Sequence, residues 1–378
     1  VTGGWVVDDG VLAVVGDRVG YAGPAASWAG DLPAPAPGRL LLPGLVDVHC
    51  HGAAGHGFPD AAADGVREAA AHHLAAGTTT LVASLVSAPA AELRERLAVL
   101  APMVEAGELA GVHLEGPFLS AARCGAQDPA ALVPGDLALL RGLLAVGGVV
   151  SMTLAPETAH AAELVAVLRE HGALPSFGHT DATAGVTTAA IRAAAAGGRL
   201  SATHLFNGMP PLSSRAPGPV AACLAAAARG ELVVELVGDG VHLAPDTVAA
   251  VFDLVGAGQV ALVTDAMAAA GMPDGRYRLG ALPVEVVGGV ARLADGDGRG
   301  AIAGGTARLV DVVRHTVAAG VPLPDAVLAA TGTPAGLLGL PDVGRLTPGA
   351  RADVLVTDAD LVPTAVLRAG RWVRREES

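Results

Sequence analysis

From residue 45 to residue 265 the sequence alternates between short apolar runs and longer Ala/Leu/Arg-rich stretches, and this constrains the fold more than any other feature. The apolar runs at 79–84, 110–115, 149–154, 175–179, 201–204, 232–238 and 260–265 have strand length and composition. The stretches at 60–76, 89–106, 134–146, 158–171, 183–196 and 245–256 read as helices, and 217–228 occupies the corresponding place between two strands. With a first strand at 45–51, the pattern predicts right-handed βα units closing into an α/β fold, a TIM (β/α)8 barrel.

The ends of the chain follow another pattern. Residues 5–23 are Val-rich runs broken by Asp-Asp-Gly and Gly-Asp, as in a hairpin, and 24–38 is a Pro/Ala/Gly-rich connection. Residues 276–294 interrupt the alternation with short strands, an expected insertion hairpin, before helices at 306–319 and 324–330 close the barrel. Runs at 346–349, 353–357, 365–368 and 372–373 are again β-like. The expectation is a small β-sandwich domain built from 1–43 and 335–378 beside a barrel of 44–334. The chain starts at Val1, directly before Thr2-Gly3-Gly4 and without a Met, which leaves room for a strand preceding it.

At 378 residues the chain can bury a large core. Its formal net charge of −13 argues against a nucleic-acid partner or an anionic membrane surface, both of which select basic patches. An anionic small molecule remains possible, because one well-placed Arg can hold it. The sequence has no Lys, so every fixed side-chain cation is Arg. The three cysteines, Cys50, Cys124 and Cys223, are odd in number and widely spaced, which gives no disulfide framework. No apolar run reaches spanning length and no signal-peptide pattern opens the chain, so a cytoplasmic location is expected.

Five strand-end elements carry chemistry. In Leu45-Val46-Asp47-Val48-His49-Cys50-His51-Gly52, two histidines at i and i+2 project to one face of a strand. Val112-His113-Leu114-Glu115-Gly116-Pro117-Phe118 ends a strand in a carboxylate followed by a forced turn. His179 and His204 each follow a short strand, in Ser176-Phe177-Gly178-His179-Thr180-Asp181 and Ala202-Thr203-His204-Leu205-Phe206-Asn207. Asp265 ends Leu262-Val263-Thr264-Asp265-Ala266. C-terminal strand ends are where such barrels place active sites. A mixed His/carboxylate set there suits a divalent ion with an open position, as in metal-assisted hydrolysis of a C–N bond. Asp265 is placed to move protons between water and a leaving amine.

This arrangement resembles the amidohydrolase superfamily. The strings His113-Leu114-Glu115-Gly116-Pro117-Phe118, Gly178-His179-Thr180-Asp181-Ala182 and Ala202-Thr203-His204-Leu205-Phe206-Asn207-Gly208-Met209, with Asp239-Gly240-Val241-His242 and Val263-Thr264-Asp265-Ala266, are similar to its N-acetylglucosamine-6-phosphate deacetylase family over about residues 42–358. The resemblance implies hydrolysis of N-acetylglucosamine 6-phosphate to glucosamine 6-phosphate and acetate, in amino-sugar catabolism and cell-wall recycling, usually by a homodimer. It implies one or two divalent ions per subunit, zinc above all, with iron, manganese or cobalt as alternatives. Glu115, His179 and His204 match one ion's ligands. His49 and His51 match the pair that supports a second ion, which Glu115 and Asp265 would share.

Asp265 matches the catalytic acid/base of that family, and His242 a histidine near the acetamide. Ala126, Gln127, Asn207, Gly208, Arg215, Asp239, His242, Ile302, Ala303 and Gly304 match substrate-binding positions, with Arg215 paired to the phosphate in its own or a neighbouring subunit. Gln127 departs from the pattern: many members have a sugar-contacting His there, and Gln cannot carry charge. This bears on tolerance for other N-acetylhexosamine phosphates. Cys124 lies in the same loop.

Two other readings stand beside this one. Another amidohydrolase could act on a different N-acyl or cyclic amide; many of those bridge two metals with a carboxylated Lys, which this chain does not possess. A non-catalytic homologue need not keep its ligands, whereas every expected acid and histidine is present here.

Overall fold

The computed structural model describes residues 6–31, 38–294 and 300–375. Val1, Thr2-Gly3-Gly4, the start of the N-terminal hairpin at Trp5 and part of the 24–38 connection lie outside the described residues.

Eight parallel strands form one sheet: β1 (Leu45–Cys50), β2 (Thr78–Leu85), β3 (Gly111–Glu115), β4 (Val149–Leu154), β5 (Leu174–Phe177), β6 (Ser201–Ala202), β7 (Val233–Leu236) and β8 (Val260–Leu262). They pair in chain order. Beyond β8 the chain reaches back to β1 through a parallel bridge between Cys50 and Ala266. There the Asp265 N–H donates to the His49 carbonyl at 2.9 Å and the His51 N–H to the Ala266 carbonyl at 2.6 Å. The barrel is therefore closed at the end where both His-rich and Asp-bearing segments emerge.

The helices expected between strands are present: Ala63–Ala75, Ala90–Glu105, Leu137–Leu144, Ala161–Glu170, Ala184–Ala195, Gly218–Ala227 and Pro245–Val255. Along the strands, Val112, Leu114, Met152, Leu154, Phe177, Ala202, Val234 and Leu236 belong to the large apolar cluster shared with these helices. The intervening positions are polar and meet one another inside the barrel. Ser84 Oγ lies 3.0 Å from His113 Nδ1, His113 Nε2 2.8 Å from Thr153 Oγ1, Thr153 Oγ1 2.7 Å from Thr203 Oγ1, and Ser176 Oγ 2.6 Å from Thr203 Oγ1. Buried hydroxyls and imidazoles need such partners, and this network forms a floor beneath the strand ends.

The expected 276–294 hairpin is a three-stranded antiparallel sheet of Gly275–Leu279, Leu282–Val287 and Val290–Leu293. Its apolar face packs with Val86, Met267, Ala268 and Ala303, on the loops following β2 and β8. Helices Leu309–Ala318 and Leu323–Ala329 follow. A further helix, Gly332–Leu338, spans the expected domain boundary at 334/335 and packs Ala335 with Val46, Val48, Val237 and Val263.

Both termini contribute antiparallel β-structure. Leu40–Pro43, Val354–Thr357, Pro363–Arg368 and Arg371–Arg374 form one sheet. The hairpin Gly10–Val15/Arg18–Pro24 joins it through Arg18 and Arg351, with Val19, Leu346, Ala350, Ala352, Val354 and Leu367 between them as a small core. Residues 346–349, expected as a strand, form no ladder; Leu346 instead inserts into that core. Among the described residues no helix is long and apolar enough to cross a membrane.

Candidate functional site

His49 lies on β1 with His51 immediately after it, and Glu115 closes β3. His179, His204 and Asp265 lie two or three residues beyond β5, β6 and β8, with φ of 46°, 27° and 48°. Non-glycine residues in this left-handed region carry a cost of about 1–3 kcal/mol each. Main-chain bonds hold each of these turns. Ser120 N–H donates to the His179 carbonyl at 2.9 Å, Leu205 N–H to the Glu235 carbonyl at 2.8 Å, and Gly305 N–H to the Asp265 carbonyl at 2.6 Å. Strain of this kind, held by surrounding structure, is common at ligand clamps and fits the expected role of these three positions.

The six side chains meet at one buried point. Glu115 Oε1 is 3.0 Å from His179 Nε2, 2.9 Å from His204 Nε2 and 3.6 Å from His49 Nε2, and Glu115 Oε2 is 3.3 Å from His51 Nε2. Asp265 Oδ1 is 3.3 Å from His51 Nε2 and 3.5 Å from His49 Nε2. Imidazole nitrogens face each other at 3.1 Å (His49 and His51) and 3.2 Å (His179 and His204). Two groups, His49–His51–Asp265 and His49–Glu115–His204, have the spacing of a cation shell, and Glu115 reaches both with its two oxygens.

The outer contacts aim the rings. His49 Nδ1 lies 3.1 Å from Glu235 Oε2, His51 Nδ1 3.2 Å from the Ser84 carbonyl, and His179 Nδ1 2.8 Å from the Arg123 carbonyl. An acceptor at Nδ1 fixes the tautomer that leaves the Nε2 lone pair facing inward, as in metal-binding histidines. Electrostatics agrees. Burial pulls the His49 imidazole down, yet Glu115, Asp265 and Glu235 outweigh it and lift its pKa to about 10. Against the same burial, His51 is raised by Asp265 and Glu115, and His179 by Glu115 with Asp265 adding to it. Burial would raise Glu115 and Asp265, but the adjacent histidines hold both below the usual carboxylate range. This shell therefore needs positive charge at its centre, as protons or as a divalent cation, and its N/O donors fit the latter.

The remaining expected residues surround this point. His242 Nδ1 lies 2.8 Å from Asp239 Oδ2, and its Nε2 faces Asp265 Oδ2 at 3.7 Å. Asp239 Oδ1 accepts the Val241 and His242 N–H groups, both at 2.8 Å, so Asp239 holds the histidine with its whole carboxylate. Asn207 and Gly208 form the turn after His204. Gly208 has φ +60°, and a Cβ there would lie 2.8 Å from His179 Nδ1. A Cβ on Gly304, at φ +82°, would likewise lie 2.8 Å from the Asp265 carbonyl oxygen, and Ala303 and Ile302 tie that segment to the insertion sheet. Ala126 packs beside the same sheet. Gln127 is buried and turned toward the ligand shell: its Nε2 donates to Glu115 Oε2 at 2.6 Å and its Oε1 accepts the Ser87 N–H at 2.7 Å. Arg215 is exposed on the loop after β6.

Sequence reasoning missed Glu235 and Asp47. Asp47 accepts from His49 N–H, Thr264 N–H and Thr264 Oγ1, tying the segments that carry His49 and Asp265. Both are carboxylates inside otherwise apolar strands, which is the available signal. A cavity of about 1060 Å3 opens at the far end of the barrel near Arg199, Gln259 and Arg345 and has no histidine in its lining.

A closed barrel with this donor cluster on its rim defines a metal-dependent hydrolase scaffold. The chain belongs to the amidohydrolase family, whose profile matches residues 40–373. It is 33% identical over 341 residues to an N-acetylglucosamine-6-phosphate deacetylase of Lysinibacillus sphaericus, covering 88% of this chain and 85% of the relative. It is 34% identical over 331 residues to an N-acetylgalactosamine-6-phosphate deacetylase of Escherichia coli O157:H7, covering 85% of each. Among solved structures it is similar to an Asp-to-Ala variant of N-acetyl-D-glucosamine-6-phosphate deacetylase from Mycobacterium smegmatis in complex with N-acetyl-D-glucosamine-6-phosphate. That likeness has a TM-score of 0.91 at 42% identity, with 99% of this chain and 97% of that one covered.

Proposed function

We propose that this protein hydrolyses the acetamide of N-acetylglucosamine 6-phosphate, giving glucosamine 6-phosphate and acetate. The observation that carries the reading is the buried convergence of four imidazoles and two carboxylates at the barrel rim, in a chain whose relatives bear that activity in their names. Glu115, His179 and His204 would hold one divalent ion, zinc first and iron, manganese or cobalt as alternatives. His49, His51 and Asp265 would hold a second, with Glu115 shared. A bound divalent ion polarises an acyl oxygen and acidifies water.

The chain's own residues do the rest. Asp265, kept ionised by His49 and His51 against its burial, takes a proton from the attacking water and delivers it to the amine nitrogen as the C–N bond breaks. His242, with Nδ1 committed to Asp239, presents Nε2 toward Asp265 and the acyl group. Arg215 pairs with the phosphate, and the Asn207-Gly208 turn, Ala126 and the 302–304 segment line the sugar. We place the enzyme in the cytoplasm as a homodimer, its three cysteines being unpaired.

A second reading, action on the 4-epimer N-acetylgalactosamine 6-phosphate, is favoured by the Escherichia coli relative. Metal analysis of the purified protein, with acetate release measured on both hexosamine phosphates and on unphosphorylated N-acetylglucosamine, tests these readings. Protein without bound metal, or acetate release from none of the three, would overturn them.

A further inference from the structure

We infer that Glu235 is a positioning residue that couples the two halves of the donor cluster through a single carboxylate oxygen. This rests on the metal reading above and adds a residue that reading does not use. Glu235 lies on β7, where Val234 pairs with Ala202 of β6 and Glu235 itself with Ala261 of β8. Its side chain is almost fully buried. A carboxylate in that setting is costly unless hydrogen bonds hold it.

Both contacts found for Glu235 Oε2 go to expected ligands. It takes the Nδ1 hydrogen of His49 at 3.1 Å and the main-chain N–H of His204 at 3.3 Å. The Glu235 carbonyl meanwhile accepts the next N–H, that of Leu205, at 2.8 Å. Glu235 thus brackets His204 from both sides of its peptide, at a residue held in the left-handed region with φ 27°. The bracket matters because His204 Nδ1 is buried without a partner. Whereas His51 and His179 are aimed by acceptors on their own rings, the aim of His204 depends on the turn that carries it.

His49 is the complementary case. It belongs to both donor groups, so any rotation of its ring affects each of them, and Glu235 is the hydrogen-bond partner seen at its Nδ1. One oxygen therefore sets the tautomer of His49 and the backbone of His204. Removing it frees a ring on one side of the centre and a strained turn on the other.

The test strips the protein with a chelator and titrates it with Zn2+ against a chromophoric competitor, for wild type, E235A, E235D and E235Q. Thermal melting of each ion-free form reports folding separately. E235A removes the acceptor, and E235D keeps the charge but is one methylene too short to reach both hydrogens. Both should weaken every Zn2+ step seen in the wild type by about ten- to a hundredfold. E235Q, whose one carbonyl oxygen can accept both hydrogens, should stay within about threefold of wild type. Should E235A prove unfolded, E235D decides. Unchanged constants in E235D, or losses in E235Q as large as in E235D, would overturn the coupling role. A wild type that takes up no divalent ion would instead overturn the proposed function itself.

Discussion

Gln127 donates its amide hydrogen to Oε2 of Glu115 across 2.6 Å, and its own oxygen accepts the Ser87 N–H. Both polar ends of this side chain are engaged by the protein. Gln127→Leu should therefore act through Glu115: metal affinity and kcat fall by about tenfold, as for lost outer contacts to metal ligands, while KM changes little. A rise in KM with metal content intact would instead make Gln127 a sugar contact.

Asp265→Asn keeps the shape of the side chain and removes its capacity to take a proton. Turnover should drop roughly a hundredfold or more, with substrate binding retained. Equilibrium binding and single-turnover rates of the variant check this, and near-normal turnover rules the role out.

Ion uptake should release protons. In the ion-free protein His49 has its pKa lifted to about 10 from 6.5, so at neutral pH it holds a proton that an ion must displace from Nε2. Affinity should consequently rise with pH by about one log unit per pH unit for each proton displaced. For the ion-free fold the sign is opposite. The stabilisation from His49 is full below its unfolded pKa of about 6.5 and disappears as pH rises through about 10. Calorimetric titration in buffers of different ionisation enthalpy counts the protons; zero release would contradict this charge state.

The strand-end donors were legible because a strand has a period of two. His49 and His51, and likewise His113 and Glu115, had to share a face, and the βα alternation put every strand end on one rim. What escaped the sequence depends on contacts between distant segments. Helix Gly332–Leu338 contains Gly332, Pro334 and Gly336, poor helix formers that packing against β1 and β8 overrides. Residues 346–349, Leu-Thr-Pro-Gly, open like a strand, but Leu346 inserts into the terminal core and Pro348-Gly349 turns the chain, leaving a single bond from the Gly349 N–H to the Val19 carbonyl and no ladder. The amide of Gln127 and the carboxylate of Asp239 turn toward Glu115 and His242, directions that loop sequence does not encode.

Gly208→Ala should disturb the centre without replacing a ligand. The residue sits at φ +60°, and the added methyl would lie 2.8 Å from His179 Nδ1, where the ring hydrogen bonds the Arg123 carbonyl. The left-handed conformation alone costs about 1–2 kcal/mol for Ala, and His179 must also move. Metal content should fall together with activity. A variant with full metal content and normal rate would show that the loop yields instead.

Arg215 stands exposed on the loop after β6, while the buried cluster around Glu115 contains no arginine. The overall charge of −13 repels a phosphate dianion, so a local guanidinium must supply the attraction. Arg215→Ala should raise KM for N-acetylglucosamine 6-phosphate about ten- to a hundredfold, the scale of a lost charge-assisted hydrogen bond. Metal content should be untouched, because the side chain lies outside the ligand shell. Activity on unphosphorylated N-acetylglucosamine should change little, since that sugar has nothing to offer the guanidinium. If Arg215 reaches a neighbouring subunit's substrate, mixing Arg215→Ala with Asp265→Asn protein should restore activity in the hybrid dimers. Equal losses on both sugars would make Arg215 structural, and no loss on either would transfer the phosphate to Asn207 and His242.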